Sequence, residues 1–313
     1  MSIGIIGAGA FGTSLAITMA QHGQDVRLWS RANAAKMQTT RVNHRYLPDA
    51  VFPDSLTVVS ALTDLTGCAA ILLVLPAQQT AGFLRENQIP AAPLVLCAKG
   101  IDVNSGALQT QIAAKYTDAP LSVLTGPGFA SDLAKGLPTA LTLASFDAAQ
   151  GRELQHLLST PRLRLYLSDD PIGAQLGGAL KNVIALACGM TIGAGLGESA
   201  RAAVLTRGFA EMLKVGVEMG AKPETFQGLS GLGDLTLTCG SEKSRNFAQG
   251  LAIGCGKMPE SGVTVEGVAT AQAAAKYANV DTPIADAVSA VISQKITLTE
   301  AMDALLSRPL KQE

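Results

Sequence analysis

Apolar residues along this chain fall into two rhythms. In the first half, short and nearly continuous apolar runs recur at residues 3–7 (IGIIG), 25–30 (DVRLWS), 56–60 (LTVVS), 70–75 (AILLVL), 94–99 (LVLCAK), 121–126 (LSVLTG), 139–145 (TALTLAS) and 162–168 (RLRLYLS). Runs of this length predict strands, and those apolar almost throughout predict strands covered on both faces. Helix-compatible stretches such as TSLAITMAQHG and SGALQTQIAAKY lie between many of them. The alternation predicts a doubly wound α/β domain with a mainly parallel sheet.

After about Asp170 the strand signal fades. Alanine-rich helical patterns take over at 172–190, 198–219, 242–254, 265–278, 284–292 and 299–306, punctuated by glycine and proline. The chain thus divides into an α/β domain over residues 1–169 and an all-α domain over 170–313, with the boundary just before Pro171.

One predicted helix carries an odd residue. In QLGGALKNVIALACGM, from Gln175 to Met190, helical spacing puts Ala174, Gly177, Gly178, Ile184, Ala185 and Cys188 on the same face as Lys181. That face is too apolar to be a solvated surface. Either the lysine snorkels out of a core helix, or something polar meets it there.

Composition narrows the classes. The chain has 313 residues, 48% hydrophobic and 16% charged, with a net charge of −1 and no long run of one sign. A large core is easy to build, and nothing resembles the basic stripe of a nucleic-acid binder. The cysteines at 68, 97, 188, 239 and 255 form no CxxC pair, and the histidines at 22, 44 and 156 are scattered. No metal site or disulfide framework is indicated, and a reduced, cytoplasmic chain is the expectation. The N-terminus lacks the basic leader of a signal sequence, and the uncharged run between Lys181 and Glu198 is too short for a membrane span.

The first strand runs into Gly7-x-Gly9-x-x-Gly12 and then a helix. Gly7 suits a tight turn, Gly9 lets backbone approach a pyrophosphate, and Gly12 lets helix pack on strand. This is the dinucleotide-binding arrangement of a Rossmann domain. The second strand ends in RLWSRAN without the acidic residue that would hold a ribose 2′-hydroxyl. Ser30 and Arg31 stand where a 2′-phosphate would lie, which favours NADPH, with NADH also accepted.

Further segments stand out. Lys99 follows one strand, and the backbone-exposing turn Gly126-Pro127-Gly128 follows the next. Asp234 is isolated among glycines in GLGDLTLTC, and Ser244, Arg245 and Asn246 are adjacent in SEKSRNFAQG. Each has an ordinary structural reading: a strand-end lysine, a turn aspartate, and a helix start capped by Ser244. Taken in order, GxGxxGTxLA, NHRYLP, AKG, GPGFA, GLPTA, QLGGALKNVIA, GLGDL, SRN and VEG resemble bacterial-type NAD(P)-dependent glycerol-3-phosphate dehydrogenase over nearly the whole chain.

The resemblance implies a Rossmann domain followed by an all-helical one. It implies reduction of dihydroxyacetone phosphate to sn-glycerol 3-phosphate with NAD(P)H, supplying the phospholipid backbone. It makes Lys181 the proton donor and acceptor, with Lys99 and Asp234 in the catalytic set. It places substrate on Lys99, Gly126, Gly128, Lys181, Asp234, Ser244, Arg245 and Asn246. Beside Gly7, Gly9 and Gly12, it places cofactor on Phe11, Arg31, Lys99, Ala130, Arg245 and Glu266. Glu266 also reads as a first-turn acid of its helix. The partner implied is a small phosphorylated substrate, and a homodimer is admitted. Two positions depart from the family pattern: Gly128 stands where Ser or Thr is common, and Thr125 where Ser is frequent.

The chemistry agrees with the residue types. Hydride delivery to a ketone leaves charge on oxygen and needs a proton donor in reach. Burial and Lys99 would lower the proton affinity of Lys181, and Asp234 would raise it. Arg245 and Asn246 suit a phosphate. Two rivals have weaker support. Dehydrogenases of the 3-hydroxyacid and 6-phosphogluconate type separate their lysine and asparagine by several residues, whereas Lys181 and Asn182 are adjacent. A non-catalytic NAD(P)H-sensing module would not need the charged set.

Overall fold

The structure is a computed structural model that describes residues 1–257, 266–274 and 280–309. The first strand, β1 (Ser2–Ile6), is buried at every position. It is followed by α1 (Ala10–Ala20), β2 (Asp25–Trp29), α2 (Ala34–Thr40), β3 (Val42–Asn43), β4 (Leu47–Val51), β5 (Leu56–Val59), β6 (Ala70–Leu73), α3 (Ala77–Glu86), β7 (Leu94–Leu96), α4 (Gln109–Ala113), β8 (Leu121–Thr125), α5 (Ala130–Ala134), β9 (Thr139–Ser145), α6 (Ala148–Leu158) and β10 (Leu163–Ser168).

Eight of these strands, all those expected from the apolar runs, form one sheet in the order β10-β9-β8-β7-β6-β1-β2-β5. Only β8 and β9 pair antiparallel; the other neighbours are parallel. The strand order reverses at β1, so the crevice beyond its carboxyl end is the ligand-binding position of a doubly wound fold. Gly7 stands at that end.

One local feature differs from the sequence reading. SGALQTQIAAKY gives only the short α4, because Gly106 takes a φ of 71° and the Asp102 carboxylate accepts from Ser105 N and Oγ, forming a turn in place of helix. Residues 42–51, which contain NHRYLP, form a two-stranded antiparallel hairpin of β3 and β4.

Packing divides the chain into two units, one of Met1–Lys99 with Leu108–Gln175, the other of Gly100–Ala107 with Leu176–Glu313. The helices after β10 are α7 (Pro171–Gly193), α8 (Gly197–Glu218), α9 (Pro223–Gln227), α10 (Asp234–Cys239), α11 (Arg245–Gly254), α12 (Glu266–Ala274), α13 (Pro283–Ile292) and α14 (Leu298–Leu306). Among the described residues, no strand follows β10. The expected helix over 265–278 extends in part beyond the described residues.

By length and apolarity α7 could cross a bilayer, but 89% of its most apolar window is inside the protein, so it is a core helix. Glycines let α11 press directly on it. A Cβ on Gly189 would lie 2.1 Å from Phe247 O, and one on Gly250 would lie 2.1 Å from Leu186 O. Gly193 and Gly254 repeat this reciprocal contact one turn on, against Leu251 O and Met190 O. The small residues flanking Lys181 in the sequence thus extend into a backbone-to-backbone helix crossing.

Candidate active site

The first unit carries the turn between β1 and α1. Gly7 has a φ of 115°, and a Cβ there would lie 2.3 Å from Val74 O. A Cβ on Gly12 would lie 2.0 Å from Gly7 O. Both positions therefore require glycine for close approach. At Gly9 a Cβ would meet nothing within 4 Å. The absent side chain leaves open space beside the helix start, which suits a pyrophosphate. At the end of β2, Arg31 is exposed, and the buried Ser30 turns its hydroxyl to Ala32 O at 2.6 Å. The Ser30 hydroxyl proton is thus spent within its own turn, whereas Arg31 lies on the surface.

Lys99 lies beyond β7. Its Nζ donates to Gly126 O at 2.8 Å and stands 6.0 Å from the centroid of the Phe11 ring. The structure thus brings Phe11, Lys99 and Gly126 together. Gly126, with a φ of 134°, ends β8, and Ala130 opens α5. A Cβ on Gly128 would face Thr139 and Leu141, at 3.3 and 3.4 Å. A small hydroxyl residue there would meet apolar neighbours, so its absence leaves the packing unharmed.

The second unit explains the lysine in α7. Lys181 is 5% exposed and Asp234 1% exposed. Lys181 Nζ donates to Asp234 Oδ1 at 2.5 Å and to Thr238 Oγ1 at 2.7 Å. The lysine therefore does not snorkel; a buried carboxylate meets it. Asp234 is not the turn residue its glycine neighbours suggest, but the first residue of α10. It is delivered by a π-helical turn over Leu229–Gly233. That turn fits against α7 because a Cβ on Gly177 would lie 2.5 Å from Ser230 O. Phe226, fully buried, anchors its start.

Thr238 does not stand out in the sequence. Its signal was the four-residue spacing from Asp234, which puts both on one face of a helix. The Thr238 hydroxyl donates to Asp234 O at 2.6 Å, which leaves its lone pairs for the lysine. Cys239 lies against Cys188, and its thiol pKa is raised well above the ordinary value by that hydrogen bond and by burial, with Lys181 and Arg201 opposing. The Cys239 thiol, held protonated, is not a nucleophile in that state.

Ser244, Arg245 and Asn246 open α11. Ser244 is the buried N-cap, accepting from Phe247 N at 3.2 Å, so its structural reading holds. Arg245 is exposed. Asn246 Nδ2 donates to Asn182 Oδ1 at 2.9 Å, and its Oδ1 accepts from Gly267 N at 3.1 Å. Asn246 thereby joins the neighbour of Lys181 to the neighbour of Glu266, the first residue of α12.

Known proteins resemble this chain throughout. The family of the N-terminal domain of NAD-dependent glycerol-3-phosphate dehydrogenase matches residues 2–150, and that of its C-terminal domain matches residues 170–303. The chain is 49% identical to a glycerol-3-phosphate dehydrogenase (NAD(P)+) of Ruegeria sp., covering 100% of both chains. It is 51% identical to the protein of that name from Jannaschia sp., again covering 100% of both. Its structure matches the crystal structure of glycerol-3-phosphate dehydrogenase from Coxiella burnetii with a TM-score of 0.92 at 35% identity, covering 98% of this chain and 99% of that one.

Proposed function

This chain belongs to the NAD-dependent glycerol-3-phosphate dehydrogenase family, and from that premise we propose that it reduces dihydroxyacetone phosphate to sn-glycerol 3-phosphate, reversibly. The observation that carries the reading is the buried Lys181 ammonium held by Asp234 and Thr238. The open space at Gly9 and the exposed Arg31 fit a dinucleotide, with NADPH favoured and NADH accepted. When bound, NAD(P)H supplies the hydride.

The remaining chemistry belongs to the chain. Lys181 gives a proton to the carbonyl oxygen as charge develops there, and takes it back in the reverse direction. Asp234 compensates the ammonium, and Thr238 fixes where Nζ lies. Arg245 meets the substrate phosphate by charge-assisted hydrogen bonds. Lys99, Gly126, Gly128, Ser244 and Asn246 complete the substrate contacts we assign. Phe11, Ala130, Lys99, Arg245 and Glu266 join the glycine turn and Arg31 on the cofactor.

We assign residues 1–169 as the Rossmann domain that carries the dinucleotide turn, with Lys99, Gly126 and Gly128 reaching the substrate. We assign residues 170–313 as the all-helical domain that carries Lys181 and most of the substrate contacts, with Arg245 and Glu266 reaching the cofactor. The product would feed glycerophospholipid synthesis. The five unpaired cysteines suit the reducing cytoplasm. A homodimer is part of this reading, and sedimentation equilibrium tests it. The activity is tested by steady-state oxidation of NADPH and NADH. Dihydroxyacetone phosphate should support turnover, and a simple keto acid should not. Tight cofactor binding without turnover on any phosphorylated ketone would overturn the reading.

A further inference from the structure

Asn43 lies on β3 and is 3% exposed, yet it is tied to a distant part of the first unit. Its Nδ2 donates to Ala8 O at 3.0 Å and to Thr13 Oγ1 at 2.9 Å. Ala8 O can only accept, so the nitrogen of the carboxamide must face it. Thr13 N in turn donates to Gly9 O at 2.9 Å. One side chain and its hydrogen-bond partner therefore hold the carbonyls on both sides of the Gly9 amide.

We propose that Asn43 is a positioning residue for the cofactor, clamping the Ala8–Gly9 peptide so that the Gly9 N–H faces the dinucleotide phosphates. This rests on the reading of the Gly7–Gly12 turn as the pyrophosphate cradle. No cis peptide occurs among the described residues, and in a trans peptide the C=O and the following N–H point in opposite directions. Fixing Ala8 O toward Asn43 fixes the Gly9 N–H the other way. Rotation of that peptide would put a carbonyl oxygen, not a donor, against a phosphate. Ala8 is flanked by Gly7 and Gly9, whose backbones resist rotation least. The turn that needs glycine for close approach therefore needs an outside clamp, and Asn43 supplies it.

The test is titration of the full chain with NADPH by fluorescence, without substrate, with urea midpoints measured in parallel. Asn43→Ala should weaken NADPH binding roughly three- to tenfold, the size of one neutral hydrogen bond. Asn43→Asp should weaken it further, because a carboxylate faces Ala8 O and adds repulsion. The KM for dihydroxyacetone phosphate at saturating NADPH should stay within about twofold, a split that general loss of stability would not produce. Thr13→Val, which removes an acceptor of the clamp, should act in the same direction, and Thr13→Ser should restore wild-type affinity. A folded Asn43→Ala protein that binds NADPH like wild type overturns the proposal. If that variant does not fold, equal affinities of Thr13→Val and Thr13→Ser overturn it instead. Gly9→Val separates the premise, since its side chain fills the open space. Wild-type NADPH affinity there would remove the cradle reading itself, whereas lost affinity there beside unaffected Asn43 variants would remove only the clamp.

Discussion

Lys181 Nζ lies 2.5 Å from Asp234 Oδ1, and both side chains are buried. Removing one partner of such a pair leaves an uncompensated buried charge, which costs about 3–5 kcal/mol. Lys181→Met should therefore lower stability by that order, and the double variant Lys181→Met with Asp234→Asn should recover much of it. Both should lose activity, by roughly 10²–10⁴-fold from the missing acid–base group alone. Urea denaturation and kcat, measured on the same samples, separate the two effects. Substantial turnover in either variant would remove Lys181 from the chemistry.

Thr238 accepts from the same ammonium at 2.7 Å. A hydrogen bond to a charged group contributes about 1.5–3 kcal/mol. Thr238→Val keeps the shape and loses the acceptor, so kcat should fall by about tenfold or more while NADPH affinity is unchanged. Thr238→Ser should retain most of kcat. Equal kcat in the Val and Ser variants would show that the contact does not position the lysine.

The sheet and the helical half were legible because strand and helix periods differ and because nearly every strand is apolar. The glycine turn was legible because its geometry admits little else at Gly7 and Gly12. What the sequence concealed was contact between distant segments. Lys181 and Asp234 were each visible, but nothing in their spacing says that a π-helical turn carries one to the other. Asn43 and Asn246 look like loop and helix-start residues until their carboxamides are seen bridging to Ala8 and Asn182. Apolar spacing overstates the length of α4 because it does not report a positive φ at Gly106.

Cofactor choice turns on Arg31, which is exposed at the end of β2 and has no acid beside it. Arg31→Asp removes a partner for the 2′-phosphate and supplies an acceptor for a 2′-hydroxyl. The ratio of kcat/KM for NADPH to that for NADH should fall by at least about tenfold. An unmoved ratio would make Arg31 an ordinary surface residue.

The crossing of α7 and α11 predicts a stability effect remote from any charge. Gly250→Ala would put a methyl 2.1 Å from Leu186 O, a contact with backbone that cannot swing aside. It should destabilise by about 1–3 kcal/mol or more, as overpacking does. Gly82→Ala on α3, where a Cβ meets nothing within 4 Å, should instead stabilise by up to about 1 kcal/mol through helix propensity. Thermal melts of the two variants should move in opposite directions.

The last prediction concerns Glu211 on α8, which is 7% exposed. Its Oε1 accepts from Ile284 N at 2.9 Å and its Oε2 from Ala285 N at 3.2 Å. A carboxyl group from one helix thus caps the start of α13, whose N-cap Thr282 makes no side-chain cap bond and whose first residue, Pro283, has no N–H to offer. Burial pushes the Glu211 acid from 4.5 up to about 7; the two backbone N–H groups oppose the rise, and Asp286 and Asp281 add to it. The folded protein therefore holds a proton on Glu211 that the unfolded chain has released between about pH 4.5 and 7. The stability this proton contributes is fully present below the lower value and is lost as pH rises through the upper one. Glu211→Gln does not titrate, and its carboxamide oxygen still accepts from one N–H. Between pH 5 and pH 8 the wild type should lose more stability than the variant, by urea midpoint at each pH. Asp281 and Asp286 are present in both proteins, so their own titration largely cancels in the comparison. Parallel pH profiles would show that Glu211 does not carry the shift.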